Sequence, residues 1–209
     1  MNERIIRGDA CVAEGAAWLA QREVRFASVR DQVGPLPLRL KPDGFAPLLE
    51  AIIGQQVSLA SATAITKRMA AAGMTTPEAI NGAEIDDLRG LGLSQQKARY
   101  AKALAAADLP FDDFHAMPTE EVTKRLTEVA GIGPWTAQIY TMFSLGRADV
   151  FAPGDLALQE AARLVFDLPE RPTARELNDM AARWSPWRSV AARILWAYYK
   201  HAKNREGII

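Results

Sequence analysis

The sequence of 209 residues has only one cysteine, Cys11, and two histidines. A single cysteine excludes an internal disulfide, a four-cysteine zinc site and an iron–sulfur cluster held by four thiolates. So few histidines also argue against a transition-metal site built from side chains. We therefore expect a protein that needs no cofactor.

Long hydrophobic runs are also missing, and a membrane span needs at least about 18 uncharged residues. The longest candidate, Phe45 to Ile53, contains Glu50. The N-terminal segment interleaves charged and apolar residues, which is not typical of a secretory signal. We expect a cytoplasmic protein with no membrane partner.

The chain has no excess of charge of one sign, because 25 Lys and Arg balance 25 Asp and Glu. This balance argues against a polybasic mode of nucleic-acid binding and leaves room for a local basic patch. The hydrophobic content of 49% and the charged content of 24% are those of an ordinary folded domain.

Apolar residues recur at helical spacing along almost the whole chain. The clearest stripe runs from Leu48 to Met69 and predicts a buried helix. Thr76-Pro77-Glu78 and Thr173 to Glu176 carry the signals of helix starts. Strand-like alternation occurs only around Leu36 to Leu40, where two prolines weaken it. We predict an all-α fold of about ten helices.

Two stretches rich in glycine, proline and aspartate divide the chain, near residues 34–44 and 146–155. They predict a middle helical domain over residues 44–146. The second helical domain would combine residues 1–43 with 147–209. We expect these two helical domains to flank a cleft, which is the default place for a binding site.

Gly131-Ile132-Gly133 lies between two predicted helices. Glycine permits a tight turn and has no Cβ to keep a phosphate away. The backbone N–H groups at the start of the next helix attract anions, and Ile132 would fill the core of the hairpin. An ordinary glycine-capped turn between helices explains the same glycines without a function. The two glycines alone are therefore a weak signal.

Several motifs in order resemble the helix-hairpin-helix (HhH-GPD) superfamily of base-excision DNA glycosylases, and most of all its 3-methyladenine DNA glycosylase II type. They are LLEAIIGQQVSLASA, LRGLGLSQQKARY, GIGPWTAQIYTMFSLGRADVFAPGD and ARWSPWRSVAARILW. The resemblance implies a helix-hairpin-helix motif at about residues 121–144. It also implies that the partner is double-stranded DNA with damaged bases and that the protein is a monomer. The expected location is that of a bacterial-type protein associated with the nucleoid.

Asp155 precedes a predicted helix that runs to about Phe166 and reads as its N-cap. The resemblance implies that Asp155 is also the catalytic carboxylate, which would stabilise an oxocarbenium-like sugar or activate water. The two roles are compatible, because a helix N-terminus favours an ionised carboxylate. Asp149 is the nearest rival and resembles a structural position.

Bifunctional members of the superfamily have a lysine nucleophile where this chain has Trp135. The resemblance therefore implies a monofunctional enzyme that uses water, leaves an abasic site and has no lyase activity. Trp135 and Trp196 match aromatic positions of the base pocket, and Ile139 with Tyr140 stands where the family has a pocket tyrosine. The three other tryptophans are expected in the core: Trp18, Trp184 and Trp187.

The resemblance assigns DNA contacts to Gln56, Gly131, Gly133 and Thr136. Gln56 occupies the position that fills the gap left by a flipped base. The family's hairpin also holds a Na⁺ or K⁺ ion on backbone carbonyls. By position, these carbonyls belong to Thr127, Val129 and Ile132. No iron–sulfur cluster is expected.

The favoured interpretation is an enzyme that flips out alkylated, 3-methyladenine-like bases and hydrolyses their N-glycosidic bonds. Cationic alkylated purines suit an aromatic pocket. One alternative is a non-catalytic module that grips duplex DNA, which would need neither Asp155 nor the tryptophan pair. Another is a glycosylase for neutral lesions (hypoxanthine, uracil or oxidised guanine), which would need a pocket with more hydrogen-bonding groups.

Overall fold

The computed structural model describes residues 3–203. This part of the chain forms no strand; its only bridge pairs Ile5 with Arg147. Twelve α-helices follow one another: α1 Asp9–Arg22, α2 Val24–Val33, α3 Phe45–Gly54, α4 Leu59–Ala71, α5 Pro77–Gly82, α6 Ile85–Gly90, α7 Gln95–Ala106, α8 Thr119–Thr127, α9 Pro134–Phe143, α10 Leu156–Val165, α11 Ala174–Ala181 and α12 Arg188–Lys203. Short 3-10 helices lie at Phe111–His115 and Ala182–Trp184. The all-α prediction is confirmed.

Local capping explains where several helices begin. The Thr76 hydroxyl accepts a hydrogen bond from the Ala79 N–H, and Pro77 takes the first helical position of α5. Thr173 and Glu176 form the predicted capping box at the start of α11. Both starts are decided by residues within one turn of the helix, so they were predictable from the sequence.

The apolar stripe from Leu48 to Met69 does not form the single helix that its spacing predicted. It is divided between α3 and α4 by a turn over residues 55–58, in which Gln56 has a φ of 55°. The Ser58 hydroxyl caps α4. The turn leaves Val57 39% and Leu59 80% exposed, so the prediction that they are buried was wrong.

The chain divides into two compact units. The first unit contains the described parts of residues 1–40 and 141–209, and in it α12 packs against α1, α2 and α10. Trp184 and Trp187 are buried in its core, as predicted. Trp18 is only partly buried, and the Arg22 guanidinium lies 3.9 Å from its ring centre.

The second unit covers residues 41–140, whereas the sequence predicted a middle domain over residues 44–146. Its central helix, α7, packs against α3, α5 and α6. Ala98 and Ala101 on α7 are fully buried, because small side chains allow neighbouring helices to approach closely. Within residues 3–203, no helix is long and apolar enough to cross a membrane.

Candidate active site

The hairpin predicted around Gly131 joins α8 to α9 in the second unit. Ile132 is 4% exposed and Leu126 is fully buried, so Ile132 fills the hairpin core as predicted. The Ile132 N–H donates to the Val129 carbonyl at 3.0 Å and closes the turn. This is a compact turn between two helices, with its core filled from within.

The two glycines of the hairpin have different roles. Gly131 has a φ of +96°, and a Cβ there would lie 2.4 Å from Cγ of Tyr100. The fold therefore requires glycine at this position. A Cβ on Gly133 would meet nothing within 4 Å. Gly133 leaves open space beside the first turn of α9, and the start of a helix is where N–H groups attract an anion.

The residues that begin α9 differ in exposure. Trp135 is 37% exposed, whereas Thr136 is only 7% exposed. Trp135 thus offers an aromatic surface to solvent, and Thr136 contributes little side-chain surface for a DNA contact.

The three carbonyls expected to hold a monovalent cation lie at or near the turn after α8. The Val129 carbonyl accepts the Ile132 N–H, and a carbonyl oxygen has a second lone pair for a cation. Thr127 is the last residue of α8, where carbonyls lack partners within the helix. Oxygen donors of this kind fit Na⁺ or K⁺. The described residues contain no group of three or more His, Cys, Asp or Glu that could hold a metal ion. The cation therefore stays a prediction that rests on backbone oxygens alone.

A turn between α3 and α4 carries Gln56, the residue predicted to enter the DNA stack. Gln56 is exposed and adopts the left-handed conformation that is uncommon for residues other than glycine. Its neighbour Gln55 donates from Nε2 to the Gly131 carbonyl at 2.9 Å. Lys97 donates from Nζ to the Ile53 carbonyl at 2.6 Å, at the end of α3. The turn is thus fastened to the hairpin and to α7.

The sequence assigned no contact to Gln55 and favoured a solvent-exposed Lys97 over one that touches a phosphate, whereas the structure shows Lys97 partly buried. The position of Gln55 directly before Gln56 was the available signal, since the two residues share one turn. The partner of Gln55 is a backbone carbonyl distant in sequence, and no side-chain pattern reveals such a partner.

Asp155 lies in the first unit, directly before α10. Its Oδ1 atom accepts hydrogen bonds from the N–H groups of Ala157 at 2.9 Å and Leu158 at 3.0 Å. Asp155 is therefore the N-cap that the sequence predicted. Two backbone donors and the positive end of a helix suit a carboxylate anion.

A third donor reaches the same oxygen from α12. The Trp196 indole Nε1–H donates to Asp155 Oδ1 at 3.3 Å. Trp196 is only 5% exposed, and its ring lies 5.8 Å from that of Phe143 at an interplanar angle of 34°. The structure thus brings two predicted site residues together: Trp196 donates to the carboxylate, and its ring is buried against Phe143.

Asp149 has a different environment from Asp155. It accepts hydrogen bonds from Ser185 Oγ at 2.8 Å and from Arg188 Nε at 2.8 Å. Burial alone would raise the pKa of Asp149, but the bonds from Arg188 and Ser185 outweigh it and lower the pKa below its usual value. Asp149 thus joins the start of α12 to the preceding loop.

Ile139 and Tyr140, the two residues at the predicted tyrosine position of the pocket, lie in different environments. Tyr140 is 4% exposed, and its hydroxyl accepts the Gly44 N–H at 2.9 Å. Its ring packs against Phe114, with 6.4 Å between ring centres. Ile139 is partly exposed. Tyr140 is therefore part of the interior of the second unit, and Ile139 is the one that reaches its surface.

These features belong to a known class of DNA repair proteins. Residues 49–187 match the family described as the HhH-GPD superfamily base excision DNA repair protein, and the chain belongs to that superfamily. Within it, the relatives place the chain in the 3-methyladenine DNA glycosylase type.

Three comparisons illustrate the relationship. The chain is 33% identical over 184 residues to YfjP of Bacillus subtilis, covering 82% of this chain and 64% of YfjP. It is 30% identical to DNA-3-methyladenine glycosylase 1 of Schizosaccharomyces pombe, covering 78% of this chain and 75% of that protein. The solved structure of the Schizosaccharomyces pombe 3-methyladenine DNA glycosylase Mag1 in complex with abasic DNA has a TM-score of 0.78 and 27% identity, covering 91% of this chain and 97% of that one.

Proposed function

We propose that this protein is a monofunctional DNA glycosylase that removes alkylated, 3-methyladenine-like bases from duplex DNA. The observation that carries the proposal is the Asp155 carboxylate, on which two backbone N–H groups and the Trp196 indole converge. Capping α10 needs only the two backbone N–H groups, and a module that merely grips duplex DNA does not need the additional Trp196 donor. Membership of the superfamily supports the same function.

The reaction needs an anion near the sugar. When the C1′–N bond breaks, its electron pair leaves with the base, so a cationic alkylated base departs neutral. The sugar becomes oxocarbenium-like, and a carboxylate at Asp155 stabilises that positive charge. Water then adds to C1′ and loses its proton, with Asp155 as the acceptor. The product is an abasic site in an unbroken strand.

Trp135 supports this chemistry in two ways. Trp135 replaces the lysine of bifunctional relatives, so no amine at this position forms a Schiff base with the sugar. Its exposed ring also offers an electron-rich face to a cationic base, an attraction of about 1–2 kcal/mol when the pair is desolvated. The expected partner is double-stranded DNA, bound by a monomer in the cytoplasm.

Single-turnover excision tests the proposal on duplexes with 3-methyladenine, 1,N6-ethenoadenine, hypoxanthine or uracil. Asp155→Asn keeps an N-cap, because asparagine caps helices as well as aspartate does. We expect this variant to bind DNA and to excise alkylated bases about 10²- to 10⁴-fold more slowly. Asp179→Asn, at an exposed position on α11, is the control and should excise normally.

Other results of the excision assay would contradict parts of the proposal. Strand breaks without alkali would contradict the monofunctional assignment. Binding without any excision by the wild type would favour the duplex-binding module, and preferred release of hypoxanthine or uracil would favour the neutral-lesion alternative. Full activity of Asp155→Asn would leave Asp155 as a helix cap only.

A further inference from the structure

Arg193 binds the peptide directly before Arg39 in the first unit, and neither arginine has an acidic partner within the described residues. Arg193 on α12 is 1% exposed, and its guanidinium binds neutral oxygens only. Nε and Nη2 donate to the Leu38 carbonyl at 3.3 and 3.0 Å, and Nη1 donates to the Ser189 carbonyl at 2.9 Å and hydroxyl at 3.2 Å. Within residues 3–203, no carboxylate forms an ion pair with Arg193 or with Arg39.

Arg39 follows directly after the carbonyl that Arg193 holds. Its φ of 56° lies in the left-handed region, which costs energy for a residue with a side chain. Its side chain is partly buried. Burial lowers the pKa of Arg39, and burial followed by the charge of Arg39 lowers the pKa of Arg193 to about 10. The fold thus holds two positive charges close together at some cost.

The usual compensation for such an arrangement is an anion. A buried or half-buried charge is costly unless it is paired, and two adjacent cations add mutual repulsion. Guanidinium groups match phosphate oxygens well, because their planar N–H donors bind in pairs. The arrangement is therefore typical of a site that is completed by a phosphate group.

The arginines also connect to the candidate active site within the same unit. The Arg193 guanidinium lies 4.7 Å from the ring centre of Phe143. Phe143 packs against Trp196, and Trp196 donates to Asp155. An anion at the arginines would thus be joined by contacting side chains to the carboxylate.

We propose that Arg39, supported by Arg193, binds a phosphate group, which is a backbone phosphate of DNA when the protein is on its substrate. This inference rests on the proposed function for the source of the phosphate. Arg193 fixes the Leu38 carbonyl and thereby the position of Arg39. Arg39, whose side chain is partly buried, supplies the guanidinium that contacts the phosphate.

The salt dependence of DNA binding tests the proposal. The affinity for an undamaged duplex is measured between about 50 and 300 mM NaCl, a range over which the loss of phosphate contacts changes the affinity measurably. The proteins compared are the wild type, Arg39→Gln, Arg39→Lys and Arg175→Gln. Each phosphate contact contributes about 0.9 to the slope of log K against log salt. We expect Arg39→Gln to lower the slope by about that amount. Arg39→Lys should retain it, and so should Arg175→Gln, which lies at an exposed position on α11.

A second measurement separates DNA from free phosphate. Thermal unfolding is followed in inorganic phosphate and in chloride of equal ionic strength. A phosphate-dependent rise in Tm that Arg39→Gln abolishes, with no change in the DNA slope, would assign the site to a free oxyanion. If Arg39→Gln changes neither the slope nor the response to phosphate, the proposal is wrong. Since the duplex is undamaged, a protein that excises nothing still gives a clear result here.

Discussion

The Gln55 side chain donates a hydrogen bond of 2.9 Å to the Gly131 carbonyl and so fastens the turn after α3 to the hairpin between α8 and α9. The two elements carry the residues expected to enter the DNA stack and to grip its backbone. Gly131 in turn packs on Tyr100 of α7. This bond therefore connects, within the second unit, two turns that are predicted to contact DNA.

Replacing Gln55 by alanine removes this bond and leaves the Gly131 carbonyl without that donor. We expect the free energy of unfolding to fall by about 1 kcal/mol. Affinity for an abasic-site duplex should fall as well, because Gln56 is held less firmly. Urea unfolding and fluorescence anisotropy measure the two effects. Gln21→Ala, at an exposed position on α1, is the matched control and should change neither. An unchanged stability of Gln55→Ala would show that the bond contributes nothing.

The hairpin glycines provide a second prediction. Gly131→Ala should destabilise the protein by about 2 kcal/mol or more, because a Cβ would overlap the Tyr100 ring in a left-handed backbone. Gly133→Ala should leave stability nearly unchanged, since a Cβ there meets nothing. It should nevertheless weaken DNA binding by occupying the space for a phosphate. Thermal unfolding and duplex affinity of both variants check this. Equal losses of stability would contradict the separation of roles.

The Asp149 carboxylate predicts a dependence of stability on pH. Its folded pKa is lowered, so its contribution is present at neutral pH and is lost as the pH falls from the ordinary aspartate pKa through the lowered one. We expect Asp149→Asn to lower the free energy of unfolding by about 2 kcal/mol at pH 7. The difference from the wild type should shrink towards pH 3. Urea unfolding at both pH values tests this, with Asp179→Asn as the control. A difference that is the same at both pH values would contradict the linkage.

Features decided within one helical turn were predictable from the sequence. Thr76, Thr173 and Asp155 cap helices as expected, because a capping side chain and its N–H partners are two or three residues apart. The apolar spacing did not indicate the helix break at Gln55. Apolar spacing continues through Val57 and Leu59, and the bond to Gly131 that accompanies the turn joins residues 76 positions apart.

In the candidate site too, single residues were predictable from the sequence, whereas contacts between residues distant in the chain were not. The resemblance identified Asp155 and Trp196, but the hydrogen bond between them joins α10 to α12 and has no signature in the sequence. Arg193 and Leu38 are 155 positions apart. Arg193 reads in the sequence as one of many surface charges, and only its burial reveals an unpaired cation.

Tyr140 allows a test between two roles. Burial raises the pKa of its hydroxyl to about 12. The charge of Asp43 acts in the same direction, and the hydrogen bond from Gly44 acts against it. A raised folded pKa stabilises the protein below pH 10, and this contribution is lost as the pH rises towards 12. Tyr140→Phe should therefore remove an ionisation near pH 12 from an ultraviolet titration. It should lower stability at pH 7 by about 1 kcal/mol, because the Gly44 N–H loses its acceptor.

The same variant separates a structural tyrosine from one that lines the base pocket. Phenylalanine keeps the ring contact with Phe114, so the packing of the second unit should survive. Since the Tyr140 hydroxyl is already engaged by Gly44, we expect single-turnover excision of 3-methyladenine to stay within about twofold of the wild type. A rate loss of tenfold or more at unchanged stability would instead place the hydroxyl at the base, as the resemblance implied. Ile139→Ala, at the neighbouring partly exposed position, is the comparison, because its truncation alters the surface and leaves the Gly44 bond intact.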